Sequence, residues 1–475
     1  MVFSSIAFLI YFLPVFLLLY FIVPNSIKNY VLLIGSIIFY SWGAPKFIFV
    51  ILTTTLIDFI LVGYLDRQES LRNRNLLMLS SVSLNVGLLF YFKYCNFFIE
   101  NFNYVTSFIG LENLPLIEVV LPIGISFYTF ETLTYVIDVY NRKHKPLNNF
   151  FNYLLYIIYF PKLIAGPIVR YHEIAEQITN RFSAFQAGMF LIGFRRFVIG
   201  LSKKVIIANQ IGEIASTLFM IPTDQLSTLN AWIGMFAYTF QIYFDFSGYS
   251  DMAIGLSNML GFKLPENFNN PYVSKSISEF WKRWHISLGT WMRNYLYIPL
   301  GGNRVESSGR LYFNLWIVFI LSGFWHGAGW TFLVWGCYHG VWLILDRMGY
   351  EKILSKTPAL LSISITFLTA SIGWVFFNSP SINYAFNFLS RLVVVTNGST
   401  IVHFSNTFWF SMSLAFVFSF WNTNHYFRNW QNQIFLEDLS FAKSISFTLI
   451  SFLLLIYCIG NITLSNFNPF IYFRF

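Results

Sequence analysis

From Leu311 to Leu345 the chain carries no Asp, Glu, Lys or Arg, yet His326 stands in the middle of that stretch, within GFWHGAGWTFLVWG (323–336). The stretch exceeds the roughly 20 residues that cross a bilayer as a helix. An imidazole buried in it must be hydrogen-bonded or it destabilises the protein. Three uses compete for His326: a satisfied structural histidine, a metal ligand, or a catalyst. The apolar character is general. Of 475 residues, 56% are hydrophobic and 11% charged, where soluble domains carry about 25% charged residues. Such a chain is expected to be an all-helical, multi-pass membrane protein, with its 57 Phe and 14 Trp on lipid-facing and interfacial surfaces.

Residues 1–27 contain no charge and Lys28 is the first. No basic region precedes the apolar run, as a signal peptide would need, so Ile6–Val23 is expected to be a retained first helix. The net charge of +9 fits cytoplasmic loops of a membrane protein better than nucleic-acid binding. Cys95, Cys337 and Cys458 are scattered and form no CxxC pair, so neither a disulfide framework nor a zinc ribbon is indicated.

Apolar segments recur along the whole chain, and the length rule gives roughly ten to twelve crossings plus re-entrant pieces. No internal repeat and no Gly/Ser/Pro-rich linker interrupts them, so 1–475 reads as one integral-membrane domain. DRQESLRNRN (66–75) and NRKHK (141–145) are basic, whereas 99–118 carries three Glu and no Lys or Arg. The basic loops are therefore expected inside and 99–118 outside, with spans at about 76–98 and 119–140. Residues 246–304 mix charge, glycine and aromatics without a clean apolar run. Irregular backbone at membrane depth must be buried in protein or line a watery cavity, so this block is expected to form short, tilted or re-entrant helices around a site. The alternative is a cytoplasmic amphipathic segment resting on the membrane surface.

Seven histidines are present. His144 and His172 lie near polar residues and read as solvated; His403 and His425 receive no role. His285, His326 and His339 remain, and polar groups within membrane segments are functional by default. Metal binding needs three or four converging ligands. No HExxH pair is present, and on one continuous helix the 13-residue spacing of His326 and His339 would not bring them to one point. No metal is expected. For catalysis, burial among Trp325, Trp330 and Trp335 favours the uncharged imidazole, which accepts a proton. Gly323, Gly327 and Gly329 would admit a ligand or a second backbone; the spacing of Gly323 and Gly327 equally suits helix packing. In EFWKRWHISLGTWMRN (279–294), Glu279 and Arg283 have helical ion-pair spacing and His285 follows Trp284. An interfacial anchor helix would read the same way. Arg196 and Lys203, seven apart in RRFVIGLSKK (195–204), share a helix face and suit either an anionic donor or a cytoplasmic anchor.

Taken together, FPKLIAGPIVRY (160–171), YFDFSGYSDMAIGLSNMLGFKLPENFNNPY (243–272), EFWKRWHISLGTWMRNYLYIPLGGNR (279–304) and GFWHGAGW (323–330) resemble the membrane-bound O-acyltransferase family. They are most similar to its bacterial polysaccharide branch, which includes alginate and peptidoglycan O-acetyltransferases. The resemblance runs through WVFF (374–377) to the terminal FIYFRF (470–475), with the catalytic region at 246–345. It implies a ring of roughly 10–12 transmembrane helices around a thin centre pierced by a tunnel. It also implies that His326 is catalytic and His285 a second site residue, with Trp325, Trp284, Arg196 and Lys203 as tunnel or donor-binding candidates.

The implied donor is acetyl-CoA, a substrate rather than a bound cofactor. The implied setting is the bacterial inner membrane, with an extracytoplasmic SGNH-hydrolase-like partner completing transfer to an exported polysaccharide. The FIYFRF tail is similar to a motif whose tyrosine, here Tyr472, is a candidate acyl carrier. A phenol has a pKa near 10, so a base must activate it, and phenolate leaves readily from its ester; an interfacial aromatic anchor is the alternative. Asn378 and Arg474 depart from the branch, where Arg and Gln are expected. Two other readings stay open: a D-alanyl transferase acting toward teichoic acid, and a proton-coupled transporter or flippase, which would often show inverted repeats.

Overall fold

The structure is a computed structural model and describes residues 1–180, 187–436, 439–464, 467, 470 and 471. Among them the regular secondary structure is helical, with one isolated two-residue bridge, Phe268 to Trp284. Four helices have both the length and the hydropathy of a straight membrane span: Ile48–Arg67, Leu71–Ser107, Ala359–Asn378 and Phe441–Leu464. The first apolar helix, Ala7–Ile22, is shorter. Backbone contacts divide the chain into two units, one of residues 1–189 with 260–264 and the other of 190–259 with 265–475.

The first unit contains α1 (Leu13–Ile22), α2 (Lys28–Gly43), α3 (Ile48–Arg67), α4 (Leu71–Leu89), α5 (Cys95–Ser107), α6 (Ile125–Tyr140), α7 (Phe150–Ile158), α8 (Phe160–Leu163) and α9 (Tyr171–Asn180). Its apolar core is aromatic: Phe16 and Phe39 lie 5.2 and 5.3 Å from Phe160, ring to ring. Several buried polar groups are paired in place, as low polarity favours. Asp58 accepts hydrogen bonds from Ser81 and Asn85, which ties α3 to α4, and Lys162 pairs with Glu131. The span expected at 76–98 lies within the long helix Leu71–Ser107. The one expected at 119–140 starts late, at Ile125. Gly124 holds φ +78° there, and a Cβ on it would stand 2.6 Å from the Leu163 carbonyl oxygen. That turn belongs to glycine and sets the helix start.

The second unit holds α10 (Ala187–Ser202), α11 (Asn209–Met220), α12 (Thr228–Met259), α13 (Ile277–Arg283), α14 (Ile286–Met292), α15 (Ser308–His326), α16 (Trp330–Leu345), α17 (Glu351–Ser355), α18 (Ala359–Asn378), α19 (Ile382–Arg391), α20 (Asn406–Phe420), α21 (His425–Leu436) and α22 (Phe441–Leu464). The structure corrects the reading of residues 246–259, which continue the 32-residue helix α12 rather than breaking into short pieces. Their glycines serve helix packing. A Cβ on Gly193 would meet the Gly255 carbonyl at 2.5 Å, and one on Gly200 would meet the Gly248 carbonyl at 2.5 Å. Backbones of α10 and α12 thus touch directly, the close approach that small residues permit between membrane helices. The remainder of the block, 265–304, does consist of loops and short helices.

Candidate active site

His285 is held by a clamp of hydrogen bonds. It stands between α13 and α14 with φ +46° and ψ +54°, a left-handed conformation that is uncommon outside glycine and gathers at functional sites. Residues 267–270 run antiparallel to 283–286: the Asn269 amide donates to the Arg283 carbonyl and the Ile286 amide to the Asn267 carbonyl, both at 2.9 Å. The side chain of fully buried Asn267 completes the clamp. Its Oδ1 accepts from the Ser287 amide at 3.2 Å and the Ser287 hydroxyl at 2.9 Å, and lies 3.0 Å from His285 Nδ1. A backbone N–H fixes which amide atom is the oxygen, so His285 Nδ1 is the donor and the lone pair of the neutral ring sits on Nε2. The ring rests edge-on against Phe246 of α12 at 4.7 Å. One turn earlier, Glu279 and Arg283 form the expected ion pair at 2.7 Å.

His326 is held by shape. It ends α15, and Gly327–Gly329 turn the chain into α16. The two helices pack through glycines from both sides. A Cβ on Gly323 would meet the Phe332 carbonyl oxygen at 2.3 Å, and one on Gly336 the Phe319 carbonyl oxygen at 2.4 Å. On Gly327 it would meet the Phe332 ring at 2.1 Å, whereas Gly329 has only ordinary contacts. The second backbone is therefore what Gly323 accommodates. The His326 ring is buried against Trp325, Trp335 and Phe377, with centroids at 4.9, 5.3 and 5.2 Å. Trp330, at the start of α16, is 54% exposed, whereas Trp325 and Trp335 are buried.

The two histidines are joined through Trp325, whose ring lies 6.3 Å from that of His285. Trp284 packs on Trp374 at 4.7 Å, within the aromatic layer that Trp335 extends. His339, on α16, meets the other face of that layer: its ring is 5.1 Å from Trp335 and 4.9 Å from Trp281. The helix break at Gly327 removes the single-helix premise that kept His326 and His339 apart, and Trp335 stands between them. Asn267, Phe246, Trp374 and Phe377 have no legible signal as histidine partners in the sequence, because each reaches its histidine or its tryptophan only through tertiary packing.

Arg196 and Lys203 share one face of α10 and the turn after it, as their spacing predicts. Their charge is met within the chain. Asp251 of α12 accepts from Arg196 at 2.9 Å and from Lys203 at 2.6 Å, and Glu266 reaches Arg196 at 2.5 Å. Beside them, Lys204 pairs with Asp245 of α12 at 2.6 Å. The other Asp245 oxygen accepts the backbone N–H of Ile471 at 2.8 Å, so the tail returns to α12. Tyr472 and Arg474 lie outside the described residues. In the first unit, Asp138, His144 and His172 bring three possible ligand atoms within 4.8 Å of one another. There the two imidazoles stack nearly parallel at 14°, with His144 exposed and the His172 side chain 31% exposed.

The sequence profile of the membrane-bound O-acyltransferase family matches residues 33–354. The probable alginate O-acetylase AlgI of Pseudomonas aeruginosa is 42% identical over 388 residues, covering 81% of this chain and 73% of its own. The peptidoglycan O-acetyltransferase of Helicobacter pylori is 35% identical over 438 residues, 85% of this chain and 82% of its own. The teichoic acid D-alanyltransferase of Bacillus subtilis is 30% identical over 284 residues, 55% of this chain and 70% of its own. With its helical fold and apolar spans, the chain belongs to the membrane-bound O-acyltransferase family and is a multi-pass membrane O-acyltransferase.

Proposed function

We propose that this enzyme takes an acetyl group from acetyl-CoA at the cytoplasmic face of the bacterial inner membrane and delivers it for O-acetylation of an exported polysaccharide of the alginate or peptidoglycan kind. The observation that carries the reading is the contrast among relatives. The O-acetylating proteins match four fifths of the chain at 35–42% identity, and the D-alanyltransferase about half of it at 30%.

In the proposed reaction His326 is the general base. It takes the proton of the acceptor hydroxyl, that of Tyr472, as the phenolate oxygen attacks the thioester carbonyl. The C–S bond breaks and the departing thiolate receives the proton back from the imidazolium. A positioned base contributes about 10²–10⁴-fold. The tautomer imposed by Asn267 leaves His285 Nε2 as an acceptor, which suits it to holding a polar N–H or O–H of the bound donor other than the hydroxyl proton that His326 takes. The acetyl-tyrosine ester then passes its acyl group to a hydroxyl of an extracytoplasmic SGNH-hydrolase-like partner, which esterifies the sugar. The low charge around His326 keeps water from competing for the ester.

The test is covalent labelling of wild type, His326→Ala and Tyr472→Phe with isotopically labelled acetyl-CoA, followed by peptide mass spectrometry. Label at Tyr472 in wild type that is absent from folded His326→Ala supports donor, carrier and base together. Wild-type transfer by His326→Ala would end the proposal for the base. Undiminished transfer by Tyr472→Phe would replace the carrier with direct transfer, and label only from a D-alanyl donor would move the enzyme to the teichoic acid reaction.

A further inference from the structure

A buried lysine–aspartate pair in a membrane protein is costly and is retained for a purpose. The Lys204–Asp245 pair is 2% and 1% exposed and joins the turn after α10 to α12 at 2.6 Å. Its carboxylate has a second use. Asp245 Oδ2 accepts the amide of Ile471 at 2.8 Å, a contact 226 residues away in sequence. Phe470 lies against Tyr249, one turn along the same face of α12, at 4.6 Å, and the Lys204 ammonium sits 5.9 Å from the Phe470 ring, within cation–π reach. Phe470 and Ile471 are 3% and 4% exposed. The residue after Asp245 is Phe246, the ring against which His285 rests. Neighbouring residues of one helix thus hold the tail and bear on the histidine.

We propose that Asp245, charge-paired with Lys204, is a positioning residue that fixes the backbone of the C-terminal tail at Ile471 against α12, the helix that also bears on His285, and that acyl transfer depends on this anchor. The consequence for catalysis rests on the reading of Tyr472 as acyl carrier; the anchoring itself does not. Asp245 touches neither donor nor acceptor. It acts through a hydrogen bond to the tail's main chain, and the contact with Lys204 aims its carboxylate.

Two double variants isolate that hydrogen bond. Asp245→Asn with Lys204→Met removes both charges and keeps an acceptor oxygen; Asp245→Ala with Lys204→Met removes the charges and the acceptor. Purified full-length proteins are compared by hydrogen–deuterium exchange of the C-terminal peptide and by steady-state acetyl transfer. The acceptor-keeping variant is expected to retain tail protection and most of its kcat. The acceptor-free variant is expected to lose protection, with kcat falling about 10²-fold, the loss a misplacement of about 1 Å produces, at unchanged KM for the donor. Equal tail protection in the two variants, both folded, overturns the anchor. Should the acceptor-free variant lose protection while Tyr472→Phe transfers normally, the anchor stands and the carrier reading fails. A fall in kcat without a change in tail exchange assigns Asp245 a purely structural role and also overturns the proposal.

Discussion

The two histidines of the site are the same residue type held in opposite ways. His326 ends a regular helix and is immobilised by a hairpin whose glycines let two backbones touch. His285 stands in irregular backbone, in a left-handed conformation, and is immobilised by hydrogen bonds converging on Asn267. Shape complementarity fixes where a ring sits. Only a hydrogen bond also fixes which nitrogen carries the proton. Around His285, polar contacts and short segments set the tautomer as well as the position; around His326, the glycine hairpin sets where the ring sits.

The comparison breaks most sharply at His285. Asparagine tolerates left-handed backbone better than other side chains, so His285→Asn keeps the turn and removes the imidazole. Transfer is expected to fall by about 10²–10⁴-fold with the melting temperature nearly unchanged; full activity would reduce His285 to a turn residue. Asn267→Ala leaves the imidazole but frees its orientation. An activity loss of about 10² is expected, together with destabilisation of about 1–3 kcal/mol from the donors it strands. Both are read by acetyl transfer and thermal unfolding on one preparation.

The hairpin breaks by volume instead. Gly336→Ala forces a methyl against the Phe319 carbonyl and is expected to cost about 1–3 kcal/mol, with activity falling only as folded protein is lost. Gly329→Ser, at an uncrowded helix start, is expected to stay within about 0.5 kcal/mol of wild type. If Gly329→Ser proved the more damaging of the pair in thermal unfolding, close packing would not be what holds His326.

What the sequence made legible follows the same division. His326 announces itself as the polar ring in a charge-free apolar stretch, and the glycines beside it advertise close approach. His285 is visible between its tryptophan and an apolar run, but its clamp is not. Asn267 lies 18 residues upstream and nothing local ties it to the turn. The left-handed backbone is equally silent, because even the residue types enriched there adopt it too seldom for one histidine to mark the turn. Residues 246–259 read as broken because glycine, serine and aspartate interrupt them; in the fold the glycines face α10 and Asp251 answers Arg196 and Lys203. A composition shaped by helix–helix contact looks like irregularity when the partner helix is not in view.

The glycine seam between α10 and α12 has a further consequence, best put in terms of tolerances. Where backbone seats on backbone there is no side chain to yield, so α12 works as a datum surface against which other parts are gauged. The tail at Ile471 and the ring of His285 are both referenced to it, at Asp245 and Phe246.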